Sequence, residues 1–281
     1  MRVSVIVPVR DGRATLPRLL DALALQSHPA DEVIVVDNGS RDDGPRLARE
    51  HRVGARVVAE SRPGSYAARN AGIAVATGDV LAFTDADCTP HTRWLEDGLQ
   101  ALHSDTSLAA GRVAAEVGAT PSVWEKFDAG HHVDQRKYVE VLGFGATANL
   151  LVRKDVFTAV GPFDDGLKSG GDREFCLRAT AAGFRLAYAP EAVVTHRSRS
   201  TLRETWLLHR RLGAGLRDLS KRGLQPRFWR DDQMLLPIGW AAEVTNRVAP
   251  RPDGRAHRQR ELLPLATVVV AARWTGRMTG R

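Results

Sequence analysis

A chain of 281 residues, 43% of them apolar and with a net charge of +7, is long enough for one large α/β domain with an appendage, or for two small domains. Its two cysteines, Cys88 and Cys176, stand far apart without C-x-x-C spacing, which excludes a disulfide framework and a thiolate zinc site and suits a reducing cytosol. The charge is uneven: residues 200–281 hold roughly 16 basic against about 7 acidic side chains, so the rest is slightly acidic. Such a tail can meet nucleic acid, an anionic membrane surface or only solvent, and with no comparable excess elsewhere nucleic acid is not the expected partner.

Val3 to Val9 is a β-branched run that predicts a first strand, and it starts too early for a signal peptide. Leu16, Leu19, Leu20 and Leu23 recur at helical spacing within Thr15–Gln26, with Thr15 as the expected cap. Glu32–Val36 reads as a short buried strand closed by the turn Asp37-Asn38-Gly39-Ser40. A helix over Pro45–His51, a strand over Arg56–Ala59, an alanine-rich helix over Ser65–Ala76 and a strand over Val80–Thr84 follow. Short apolar strands alternating with helices predict a parallel sheet covered on both faces.

Farther along, the pattern predicts a strand over Ala109–Glu116, one helix over Trp124–Tyr138, a strand over Thr147–Arg153 and a short helix over Lys154–Val160. A helix led by Gly170-Gly171 is expected over Asp172–Ala182, with Cys176 as core packing. An extended segment over Ala187–Val194, interrupted by Pro190, ends at Thr195-His196. Beyond Ser200 the chain turns helical and basic, with Trp206, Leu207, Leu212 and Leu216 as its apolar stripe. No apolar run approaches the roughly 18 residues of a membrane span. The longest, Leu262–Ala272, contains Pro264.

The stretch with most chemistry is Gly78–Asp87, an apolar strand running into Asp85-Ala86-Asp87. In open α/β sheets ligands bind beyond the carboxyl ends of the strands. Two carboxylates there can grip a hard divalent cation that in turn holds a pair of phosphates. The same pair also closes ordinary strands as solvated turn residues, and this stretch alone does not decide between the two. On the same expected edge stand Pro8, Arg10 and Asp11 after the first strand, Asp37 after the second, and Arg69-Asn70 before the fourth. Asp172 at a glycine-led helix start and His196 at the end of an extended segment join them. Asp42 and Asp43 read as solvated turn residues. The G-x-G-x-x-G of a dinucleotide-dependent dehydrogenase is absent after the first strand.

In this order the residues resemble the inverting family 2 glycosyltransferases of GT-A fold. The resemblance covers roughly residues 1 to 200. It is carried by Ser4-Val5-Ile6-Val7-Pro8, Val36-Asp37-Asn38-Gly39-Ser40, Arg69-Asn70-Ala71-Gly72 and Asp85-Ala86-Asp87, then by Ala146-Thr147-Ala148-Asn149-Leu150 and Ser169 to Arg178. It implies a Rossmann-like, mostly parallel central sheet flanked by helices in residues 1–200, with the nucleotide-binding half about 1–100 and the acceptor half about 101–200. A basic helical extension over 201–281 follows. The implied activity is transfer of one sugar (a hexosyltransferase reaction) from a nucleoside-diphosphate sugar to an acceptor hydroxyl.

The resemblance assigns the nucleotide-sugar contacts to Pro8, Arg10, Asp11, Asp37, Arg69, Asp85 and Asn149. It assigns a divalent metal, Mn²⁺ or Mg²⁺, to Asp85, Asp87 and His196; without the resemblance His196 reads first as an ordinary core or surface histidine. The base is expected at Asp172, where a helix N-terminus favours the charged form, although an aspartate there can also merely cap its helix. Relatives often carry Glu just before that Asp, where this chain has Gly171, so Glu174 stays open as the runner-up. Arg69 is expected to order the loops around the donor. The Gln-x-x-Arg-Trp sequence of processive relatives is absent, which points to one sugar per encounter. His209-Arg210-Arg211 stands in its place, with arginines that could touch the diphosphate. A non-catalytic nucleotide-sugar-binding relative and a sugar-nucleotide pyrophosphorylase are the alternatives. The basic extension, with apolar clusters at Trp206–Leu208, Leu235–Ile238 and Leu262–Ala272, fits a cytoplasmic protein resting on the inner face of a membrane and a lipid-linked acceptor in envelope or glycoconjugate synthesis. It fits equally helices that pack on the core.

Overall fold

The computed structural model describes residues 1–103, 105–224 and 259–279. Four strands, Val3–Val9 (β1), Glu32–Asp37 (β2), Arg56–Ala59 (β3) and Val80–Thr84 (β4), alternate with helices Leu16–Ala24 (α1), Gly44–Glu50 (α2) and Ser65–Val75 (α3). All four strands are parallel, with Ile6 opposite Ile34 on one side and Phe83 on the other. Almost every residue of β1, β2 and β4 is buried, as strands covered on both faces require. Thr15 precedes α1, yet its hydroxyl makes no capping bond.

The second half adds Cys88–Pro90 (β5), Trp94–Gln100 (α4), Leu108–Glu116 (β6), Val123–Gly130 (α5), Gln135–Glu140 (α6), Asn149–Arg153 (β7), Lys154–Val160 (α7), Gly171–Ala181 (α8) and Leu186–Arg197 (β8). The sheet order is β3-β2-β1-β4-β7-β6-β8-β5. The pairings of β7 with β4 and β6 are antiparallel, as is that of β5 with β8. The fold is therefore the expected α/β sheet flanked by helices, with its parallel pairings in the first four strands. One face is filled by the valines of β1 and the leucines of α1. A second apolar cluster joins Phe83, Phe157, Phe163 and Phe175, with ring centroids 4.5 to 5.9 Å apart. Each buried ring contributes on the order of 1.5–3 kcal/mol.

Three local expectations change. The helix expected over Trp124–Tyr138 is two, because His131–Asp134 interrupts it and Asp134 caps the second through the backbone N–H of Lys137. Pro190 does not interrupt β8, which runs through it from Leu186 to Arg197. The three residues of β5 cover β8 only at Val194–His196, so that edge of β8 is uncovered by β5 at Pro190, and prolines are found on edge strands. Neither β5 nor α4 was anticipated, since three residues ending in proline carry no periodic signal.

The chain divides into two compact units, residues 1–114, 133–166 and 171–196 in one, and 115–132, 167–170 and 197–281 in the other. The second contains α5, the 20-residue Leu202–Lys221 (α9) and the 21-residue Gln259–Thr279 (α10). Serine and threonine capping boxes, Ser122 with Glu125 and Thr201 with Glu204, start α5 and α9. A Cβ at Gly213 would overlap the Arg273 carbonyl, and one at Gly276 the Arg210 carbonyl, so α9 and α10 run antiparallel with their backbones in contact. The buried face of α9 is Thr205, His209, Gly213, Ala214, Gly215 and Leu219. The stripe expected at Trp206, Leu207, Leu212 and Leu216 is thus off by about a quarter turn, and Leu207 is exposed. Small residues carry the contact, and a pattern of large apolar residues does not register them. The expected cluster Leu235–Ile238 lies outside the described residues.

Candidate active site

The loops after β1 and β2 are laced together. Asp11 adopts a left-handed backbone (φ 55°). Its carboxylate accepts from the Arg41 N–H at 2.7 Å, while its own N–H donates to Ser40 Oγ at 3.0 Å. Asp37 accepts from the Ser40 N–H at 2.9 Å, closing the turn at the end of β2. Asp42 and Asp43 are more than solvated turn residues. Asp42 accepts from the Arg13 N–H at 2.8 Å, and the Arg46 guanidinium holds the Asp43 carboxyl below its usual range. Asn38, missed as a functional position, is buried. It donates to the carbonyls of Glu60 and Arg62 and accepts from the Gly64 N–H, which shapes the approach to α3. Pro8 is half-buried in β1, and Arg10 is exposed beside this loop pair.

At the end of β4, Arg69 is 3% exposed and its guanidinium is ion-paired to Asp85. Arg69 therefore positions Asp85 from below the surface rather than lying free on its helix. Asp87 is reached differently. The β5–β8 register sets Cys88 opposite His196, which leaves His196 Nε2 3.4 Å from Asp87 Oδ2. Among the described residues no group of three or more His, Cys, Asp or Glu side chains converges on one point. Asp87 and His196 are brought together, and Asp85 is turned to Arg69.

The donor set nonetheless fits a divalent cation. One carboxylate oxygen and one imidazole nitrogen at that separation can occupy neighbouring positions around an ion with ligand distances of roughly 2.1 Å. Mg²⁺-type sites usually complete their shell with substrate phosphates rather than with an all-protein cage.

Asp172 lies in the first turn of α8. Gly170 takes a left-handed φ of 84°. A Cβ on Gly171 would meet the Tyr66 ring at 2.8 Å, so that glycine admits the ring against the helix start. The Tyr66 hydroxyl donates to Asp172 Oδ1 at 3.2 Å, and the Thr147 N–H approaches Oδ2 at 3.4 Å. Burial nevertheless pushes the Asp172 carboxyl above its ordinary value, against the lowering bonds from Arg173, Thr147 and Tyr66 and the charge of Arg69. The helix N-terminus favours the charged form, but desolvation is the larger effect. Glu174 is engaged elsewhere, in a bidentate pair with Arg178 at 2.8 and 2.9 Å. Arg69 lies 5.5 Å from the Tyr66 ring, so contacts run unbroken from Asp172 through Tyr66 and Arg69 to Asp85.

Asn149 stands apart from this group. It is fully buried, accepts from Trp94 Nε1 at 2.8 Å, and donates to the carbonyls of Arg112 and Ala192. It braces β6, β7 and β8. His209, in the second unit, is also buried: Arg273 Nε donates to its Nδ1, and burial together with that charge pushes its pKa down to about 2. Both cysteines are buried, and burial raises both thiols, that of Cys176 to about 12, as packing side chains rather than nucleophiles.

The chain belongs to glycosyl transferase family 2, whose profile, described as "Glycosyl transferase family 2", matches residues 4–161. It is 36% identical over 204 residues to the glycosyltransferase AglE of Haloferax volcanii, covering 70% of this chain and 67% of that one. It is 33% identical over 225 residues to a pre-mycofactocin glycosyltransferase of Mycobacterium tuberculosis, spanning 76% of this chain but only 46% of that relative. Among solved structures, the mannosyltransferase PcManGT of Pyrobaculum calidifontis, in complex with GDP-Man and Mn²⁺, superposes with a TM-score of 0.62 at 20% identity, covering 99% of this chain and 84% of that one. The protein is thus a glycosyltransferase with a nucleotide-sugar donor.

Proposed function

We propose that this enzyme transfers a single sugar with inversion, using a divalent cation at Asp87 and His196 and Asp172 as the base. The observation that carries the reading is the connected set Asp172, Tyr66, Arg69 and Asp85, which ties a carboxylate of raised basicity to the acidic edge of the sheet. Inversion needs a base on the face of the sugar away from the diphosphate, to take the acceptor hydroxyl's proton as its oxygen attacks C1. Asp172 is the carboxylate suited to that role, because Glu174 is neutralised by Arg178. When bound, the cation would neutralise the charge that develops on the departing diphosphate. Asp85, fixed by Arg69, and Asp37 and Asp11 on the laced loops would position the nucleoside. The PcManGT complex with GDP-Man and Mn²⁺ supports both the donor class and the ion.

The acceptor reading keeps the membrane in view. Trp274 and Met278 are 55% and 65% exposed on α10, and Leu207 is exposed on α9 beside Arg203 and Arg211. Exposed apolar residues flanked by arginines suit a peripheral site at an anionic membrane surface and a lipid-linked acceptor. No helix among the described residues is long and apolar enough to cross a membrane.

Chelation and substitution test the catalytic reading together. EDTA should abolish transfer and Mn²⁺ restore it, and Asp87→Ala should weaken nucleoside-diphosphate binding. Asp172→Asn should cut turnover by roughly 10²-fold or more with little change in donor affinity, whereas Glu174→Gln should not. Full metal-free turnover in Asp87→Ala, or a loss confined to Glu174→Gln, would overturn the assignment.

A further inference from the structure

Two arginines are buried among the described residues, Arg69 at 3% and Arg173 at 9% exposure. Arg69 is neutralised by Asp85. Arg173 has no carboxylate within ion-pair distance among the described residues, and its Nε, shielded from solvent, has no hydrogen-bond partner. Its guanidinium carbon lies 5.7 Å from the centroid of the Phe144 ring, which stacks on Tyr138 at 4.6 Å. The neighbouring charge that favours its ionised form is Asp172, and burial works against that form. Charges are rarely buried without a partner, and a guanidinium presents five donors in a fork that matches phosphate or carboxylate.

The place of this cation, unpaired among the described residues, is informative. It is in the first turn of the 11-residue α8, directly after Asp172, and helix N-termini favour anions. We propose that Arg173 binds an anionic group, a phosphate or carboxylate, of the acceptor, and so presents the acceptor hydroxyl to Asp172. The proposal rests on the reading that Asp172 faces the acceptor. It narrows the acceptor to molecules bearing an anion close to the hydroxyl that is glycosylated. A soluble phosphate monoester and the phosphate of a lipid-linked acceptor share that chemistry.

Calorimetric titration tests this on the full chain, with Mg²⁺ and saturating UDP or GDP filling the donor side. The probes are inorganic phosphate and glycerol 3-phosphate. Wild type should bind both, Arg173→Gln should bind about tenfold or more weakly, and Arg173→Lys should lose less because the charge remains. Arg173→Met keeps the packing on Phe144 without the charge and should melt no lower than wild type, because it removes a buried, unpaired cation.

Co-sedimentation with phosphatidylglycerol vesicles separates the two sources. Loss of glycerol 3-phosphate binding alone in Arg173→Gln marks a soluble acceptor, and loss of vesicle binding as well marks a lipid phosphate. Equal phosphate affinity in all the variants overturns the proposal, as does a loss confined to nucleoside diphosphate. Asp172→Asn, assayed beside them, keeps the two failures apart. Unchanged turnover there removes the base while leaving the anion site, and unchanged phosphate binding in Arg173→Gln removes the anion site while leaving the base.

Discussion

Asp172 shows how a single side chain can be tuned against its own position. A helix N-terminus and three hydrogen bonds favour its ionised form, yet burial outweighs them and raises its pKa. The proposed base acts deprotonated, so if Asp172 has that role activity should rise with pH through its raised pKa, and the acidic limb of kcat/KM should lie above the ordinary carboxylate range near 4. Tyr66 donates to the charged form. Tyr66→Phe should therefore shift the limb to higher pH and lower turnover severalfold, and pH profiles of the two proteins measure it. A limb that stays in place would reduce Tyr66 to packing against Gly171. The same scale shows what a sequence can and cannot reveal. That Asp85 and Asp87 follow a strand end and that Asp172 opens a helix was legible, because an apolar run ends at the first pair and a double glycine precedes the last. That Arg69 grips Asp85 was not, because the two are joined only through the fold. For Asn149 the motif marks a strand start, and the three hydrogen bonds its side chain makes to Trp94, Arg112 and Ala192 depend on the fold.

Among the elements, strands with continuous apolar runs were read almost to the residue, and so was α7. Boundaries failed where structure depends on partners distant in sequence. β5 exists because β8 returns to pair with it, and no local pattern announces that. The α9–α10 contact went unread for a related reason, since glycine at the interface carries no hydrophobic signal. It makes a sharp prediction. Gly213→Val places branched carbons against the Arg273 backbone, so thermal or urea unfolding should show a loss of roughly 1–3 kcal/mol. A variant as stable as wild type would mean that the two helices can separate slightly at no cost.

For the whole molecule, charge and apolar exposure coincide in the second unit. Six of the large apolar side chains most exposed to solvent, Val117, Val123, Leu202, Leu207, Trp274 and Met278, belong to it, as does the basic excess beyond Ser200. The protein should co-sediment with anionic vesicles but not neutral ones, and salt should release it, because exposed charges are screened beyond about 10 Å at 0.1 M ionic strength. Indifference to anionic vesicles at low salt would leave only a solvated basic surface. The pairing of Cys88 with His196 also has a bearing on how the enzyme comes into being. Asp87 leaves the ribosome more than a hundred residues before His196, while β1 to β4 can already pair behind it. The first four strands can therefore be in place while the proposed cation pair is still missing one member. Closing such a long loop is a slow, late event in folding, so on the proposed reading a nascent chain cut off before β8 would bind a nucleoside diphosphate without being able to turn over its sugar.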